Sequence, residues 1–262
     1  MVEGLPFYLM IGALAGTLGG LMGIGGGLVV VPALAFWFAA AGYEAGAMHM
    51  AVGTSLATIP FTLASALFAH ARRGAVEPAL LAGLFPGAAF GALAGALLVG
   101  QLSSTVLAVL FGIFLLLVAA NMALGRRPSP SRRPPRWPGA LVSGAVIGGI
   151  SAPMGVAGGT LTVPWLVWHN VALTRAVGTA TAVGIPVALA GVAGFVYSGL
   201  GVAERPPQSL GWVHWPAVAA IVPAAVLAAP LGARLAHTLP TMLLRRLFAT
   251  VLAVVAVRML LF

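Results

Sequence analysis

The chain has 262 residues, 61% of them hydrophobic and only 6% charged, with a mean hydropathy of +1.08 and a net charge of +9. So few charges cannot cover the surface of a water-soluble domain of this length, and the long apolar runs are those of membrane spans. All 13 basic residues are Arg, the four acidic residues are all Glu, and the absence of Cys excludes disulfides, thiolate metal sites and cysteine-relay chemistry.

The opening residues, Met1 to Pro6, lack a basic leader and a cleavage site, so the first apolar stretch is expected to be retained. Apolar stretches then fall near 7–39, 46–70, 77–99, 103–124, 139–168, 176–199, 212–235 and 240–262. Most exceed the ~20 residues that a helix needs to cross a ~30 Å hydrocarbon layer. Between the fourth and fifth lies a run of Arg, Pro and Ser from Gly125 to Arg136, which reads as a solvated linker. The expected organisation is a first membrane repeat over 1–124, a cytoplasmic linker over 125–138 and a second repeat over 139–262.

Two copies of one segment support that division. Met22-Gly23-Ile24-Gly25-Gly26-Gly27 runs on to Pro32, and Met154-Gly155-Val156-Ala157-Gly158-Gly159 runs on to Pro164, 132 residues later. Ala51-Val52-Gly53-Thr54 recurs as Ala176-Val177-Gly178-Thr179, and Pro86 and Gly95 match Pro223 and Gly232. Long-period duplication of this kind defines two homologous four-element halves.

Two topologies are open. If all eight stretches cross, the halves are parallel and nine Arg share the linker side against four. If the first element of each half is a re-entrant hairpin folded at its glycines, the halves are inverted, and 11 Arg share the linker side, with only Arg205 and Arg258 opposite. The positive-inside rule favours the inverted arrangement. The expected fold class is therefore an all-α polytopic membrane protein with two inverted repeats, the first element of each broken at its glycine cluster.

The glycines themselves have competing readings. A dinucleotide-binding loop needs a preceding strand and a soluble βαβ unit, and neither is present. Close helix packing accounts for Gly12, Gly16, Gly91 and Gly95. It accounts poorly for three consecutive glycines, whose conformational cost exceeds what a packing groove requires. A break fits them better, because a helix restarting at Leu28 or Thr160 turns free N–H groups and its positive dipole end inward, where they hold an oxyanion without side-chain charge. The expected substrate donors are Gly25, Gly26, Gly27, Gly158, Gly159 and the Thr160 hydroxyl, with Thr54, Ser55 and Thr179 completing the shell. Met22 and Met154 offer a soft contact to a sulfur compound, although filling gaps beside glycine is the simpler role.

No carboxylate falls at mid-span, so a proton relay or carboxylate cation site is not expected. The five His lack ligand spacing, and nothing in the pattern calls for a metal, a cofactor or catalytic chemistry. Trp137, Trp212 and Trp215 fit interface anchors.

The paired glycine segments ending in Pro32 and Pro164, each followed by Val-Gly-Thr, resemble the sulfite exporter TauE/SafE family of membrane permeases over nearly the whole chain. The resemblance implies a multi-pass protein of the bacterial cytoplasmic membrane that exports sulfite or organosulfonates, with the lipid bilayer as its surroundings and no nucleic-acid partner. Ala157 stands where the first copy has Gly25, which leaves two unequal half-sites. Alternatives are a permease for another small organic acid or sulfur compound, or a non-transporting membrane scaffold.

Overall fold

The computed structural model describes residues 4–22, 26–124, 137–238 and 241–261. Within them run ten α-helices: α1 (Leu5–Met22), α2 (Gly27–Ala40), α3 (Ala47–Arg72), α4 (Pro78–Val99), α5 (Ser104–Leu124), α6 (Trp137–Ser151), α7 (Gly159–Trp168), α8 (Leu173–Gly199), α9 (Trp215–Thr238) and α10 (Thr241–Leu260). A short antiparallel ribbon, β1 (Ser209–Leu210) and β2 (Val213–His214), precedes α9. The apolar stretch at 7–39 is thus two helices, and so is that at 139–168. Trp137 and Pro138, expected in the linker, begin α6, where Pro suits the first turn. The rest of the linker, residues 125–136, lies outside the described residues.

Among the described residues, five helices are long and apolar enough to cross a bilayer: α3, α4, α5, α8 and the Trp215–Gly232 part of α9. The chain is a multi-pass membrane protein. Its outer face is apolar in a way no water-soluble surface is, with Phe90 72% and Leu227 76% exposed. At 1.5 Å per residue α2 reaches only ~21 Å and α7 ~15 Å, short of the ~30 Å core. Instead α2 turns back along α1. Phe7 stacks on Trp37 with centroids 4.3 Å apart, the Trp37 indole N–H donates to the Tyr8 hydroxyl at 3.1 Å, and Gly26 lies against Ala15.

Glycine seams join these hairpins to the helices of the other half. On α4, Gly83, Gly87, Gly91 and Gly95 recur every four residues and receive Ala140, Leu141, Ala145 and Gly149 of α6. On α1, Gly12 meets Ile221 and Ala224, and Gly16 meets Ala225, both on α9. Four-residue spacing sets the small residues in one ridge, so the backbones approach closely enough for dispersion to bind them where lipid gives no hydrophobic drive. At the centre, Leu56 packs on Gly191 and Leu63 on Gly184, so α3 and α8 run antiparallel.

Candidate functional site

The second break is the better defined. After α6 ends at Ser151, the chain makes a turn closed by Gly155 N–H to the Ala152 carbonyl at 2.9 Å and Val156 N–H to the Ser151 carbonyl at 3.1 Å. Gly155 (φ +62°) and Gly158 (φ +74°) occupy the left-handed region that only glycine enters cheaply. Helix α7 then restarts at Gly159, with Gly158 as its N-cap and no side chain capping its first N–H groups. Residues 151–158 are all buried. Val52 and Leu56 of α3 flank this segment on one side, and Gly184 and Gly191 of α8 on the other. Irregular backbone at membrane depth requires such a protein sheath.

The first break faces it. Gly26 caps α2, its carbonyl accepting from Val29 and Val30 N–H at 3.0 Å each. Gly27 lies so close to the Gly155 carbonyl that a β-carbon there would run into it. Ser55, on α3, donates its hydroxyl to that same carbonyl at 3.0 Å. Three of the expected residues, Gly26, Gly27 and Ser55, therefore gather where the two breaks touch, and Gly158, Gly159 and Thr160 open the helix that leaves that point. Gly25 lies outside the described residues.

Thr54 and Thr179 have a different setting. The Thr54 hydroxyl accepts from the His214 N–H at 3.0 Å, while neighbouring Gly53 abuts the Trp212 carbonyl. The Thr179 hydroxyl accepts from the Glu77 N–H at 2.9 Å, while Gly178 abuts the Ala75 carbonyl. Each Thr thus ties a long helix of one half to the backbone ahead of a helix of the other, and each keeps its own proton to donate. Burial beneath Tyr8 and Phe38 lowers the pKa of His214 to about 4, so its ring is neutral at physiological pH.

Two residues outside the expected set belong here. Ser151 and Thr162 are fully buried, and their hydroxyls have no hydrogen-bond partner among the described residues. Both lie beside Gly158: a β-carbon there would sit 3.6 Å from Ser151 Oγ and 3.5 Å from Thr162 Oγ1. Their position around the glycine cluster was the available signal, since Thr162 is four residues after Gly158.

A cleft of about 670 Å³ lies elsewhere. It opens at the start of α8 between Trp137, Asn170 and the Arg175–Glu77 ion pair, whose N–O distance is 2.8 Å. Arg175 precedes Gly184 by nine residues, ~13 Å along the helix. A smaller cleft, about 310 Å³, is lined by Tyr43, Gly46, Glu204 and Trp212.

Apolar spans, two broken helices meeting inside them and a vestibule-like cleft at a helix end are the parts of a membrane transporter. Comparison with known proteins makes the class specific. The profile of the family described as "Sulfite exporter TauE/SafE" matches residues 8–259, and the chain belongs to that family. It is 32% identical over 253 residues to a "Probable membrane transporter protein" of Haemophilus influenzae, covering 96% of each chain. A relative described in the same words from Methanocaldococcus jannaschii is 29% identical over 259 residues, covering 98% of this chain and 96% of its own. No solved structure shows a significant match.

Proposed function

We propose that the protein carries a small sulfur oxyanion, sulfite or an organosulfonate, out across the membrane by exposing a site between its two halves alternately to each side. The observation that carries the reading is the meeting of two helix breaks at Gly27, Ser55 and Gly155. The uncapped first turn of α7 offers N–H groups and a positive dipole end there, which suit an anion better than a cation. Gly25, Gly26, Gly27, Ser55, Gly158, Gly159 and Thr160 are the proposed contacts, with Thr54 and Thr179 closing the shell. No enzymatic step is needed.

The halves are proposed to be inverted repeats. Antiparallel packing of α3 against α8 supports this, since those helices carry the matched Val-Gly-Thr segments. So does the reciprocal pairing of Thr54 with His214 and Thr179 with Glu77, because Glu77 and His214 are themselves 137 residues apart, like Pro86 and Pro223. Inversion gives a broken-helix site two equivalent openings, one on each face.

The test is flux of labelled sulfite from proteoliposomes, competed by sulfate, sulfoacetate, lactate and acetate. Sulfite flux competed by the sulfonate and not by the carboxylates is the expected result. Flux of carboxylates alone would overturn the substrate class.

A further inference from the structure

Several hydroxyls inside the helices of this protein are spent on their own backbone. Thr17, Thr181 and Thr250 donate to the carbonyl four residues back, and Thr58 and Thr62 to the carbonyl three back, at 2.7 to 3.1 Å. This is the normal fate of a Thr in a membrane helix. Ser151 and Thr162 depart from it. Each is 0% exposed, each lacks a partner among the described residues, as does the Thr160 hydroxyl, and the two converge on Gly158 from different helices, Ser151 from the end of α6 and Thr162 from the first turns of α7. Leaving a hydroxyl unbonded in a dry site is costly, and two at one point call for an occupant that repays both.

The room for it is at hand. Gly158, at φ +74°, has no side chain, and the place its β-carbon would take is 3.5–3.6 Å from both hydroxyls and 3.7 Å from Ile147 Cγ2. Both hydroxyls therefore line the side of Gly158 that carries no side chain. The next residue, Gly159, faces open space, with no heavy atom among the described residues within 4 Å of a β-carbon there. The uncapped N-terminus of α7 adjoins it.

We infer that Ser151 and Thr162 are substrate-binding hydroxyls, which together grip an oxyanion seated beside Gly158 and Gly159 at the head of α7. This rests on the reading of the paired breaks as an anion site and adds the side chains that read the anion. Thr160, whose hydroxyl is likewise buried without a partner among the described residues, lies two residues before Thr162, about 200° around the helix, and so is placed for a different part of the ligand. The positions 132 residues earlier are Gly19 for Ser151 and Val30 for Thr162, so the first break has no such pair. The second break thus offers a hydroxyl pair that the first break lacks.

The experiment is a thermal melt of the purified full chain in detergent, titrated separately with sulfite, sulfoacetate and lactate, for the parent, Ser151→Ala, Thr162→Val and Thr162→Ser. Removing an unpaired buried hydroxyl relieves a penalty, so Ser151→Ala and Thr162→Val are expected to melt at or above the parent without ligand. With anion, the concentration needed for half-maximal stabilisation is expected to rise about 10- to 100-fold in each, the loss of one hydrogen bond to a charged group, and Thr162→Ser restores it. Variants that respond to sulfite like the parent overturn the inference and leave the proposed function standing, the hydroxyls then holding only water. Variants that melt several degrees lower without ligand overturn it too, as structural hydroxyls. A parent stabilised by lactate alone, with that response lost in the variants, supports the hydroxyl pair and overturns the sulfur substrate. A parent unmoved by every anion overturns both.

Discussion

Replacing Ser55 with alanine removes the side-chain bond that ties α3 to the second break at the point where Gly27 of the first touches it. Its hydroxyl donates to the Gly155 carbonyl at 3.0 Å, and donor and acceptor are both fully buried. Intramembrane side-chain hydrogen bonds average about 0.6 kcal/mol and reach about 1.7. Here the loss also strands a carbonyl in a sheath of α2, α3 and α8, where an unsatisfied polar group costs about 1–3 kcal/mol. Gly27 already presses on that carbonyl, so the backbone has no room to swing it toward another donor. A net loss of about 1–2 kcal/mol follows, which for a chain of this size lowers the melting temperature by about 2–8 °C. The assay is the same ligand-free melt, and the sign is opposite to that expected for Thr162→Val. A Ser55→Ala protein that melts within about 1 °C of the parent would refute the tie between α3 and the second break.

Three further outcomes are expected. Thr54→Val leaves the buried His214 N–H unpaired and should cost about 1–3 kcal/mol, whereas Thr179→Val should cost less, because the Glu77 N–H it frees is part-exposed; equal melting losses would contradict this. His214 has a folded pKa of about 4 against about 6.5 unfolded, so the unfolded chain binds the extra proton between those values. Stability should be flat above about pH 6.5 and fall as the pH drops toward 4, and His214→Gln should flatten the pH dependence of the melting temperature. Finally, cysteines introduced at positions 2 and 262 should both label from the side opposite the linker; labelling of both from the linker side would sink the inverted arrangement.

Much of the frame was readable from residue order, since the glycine clusters at 23–27 and 155–159 mark the points where two apolar stretches each become a pair of helices. The meeting of the breaks was only implied by their repetition, and the residue that bonds to the second, Ser55, looked no different in sequence from Thr58, whose hydroxyl goes to the Ser55 carbonyl. Likewise, no spacing rule links Thr54 to a backbone N–H 160 residues away. Local pattern reports helix faces and ends, whereas a partner across the fold depends on how the halves interlock. Ser151 and Thr162 escaped notice for the complementary reason. Their distinction is a bond they do not make, and that exists only once every neighbour is in place.

The glycine seams and the exchanged Thr bonds bear on how the chain is made. Helix α1 finds its close-packed partner in α9, and Gly53 and Thr54 of α3 rest on Trp212 and His214. A ribosome that has delivered the first half has therefore produced helices with open grooves, whose natural filling is still unsynthesised. Such long-range closure makes assembly late and leaves early helices in need of protection within the bilayer. Conversely, a cut within 125–136 leaves the close-packed seams of α1 with α9 and of α4 with α6 between the two pieces. Two separately translated pieces, cut there and made in one cell, carry all the complementary surfaces needed to find each other.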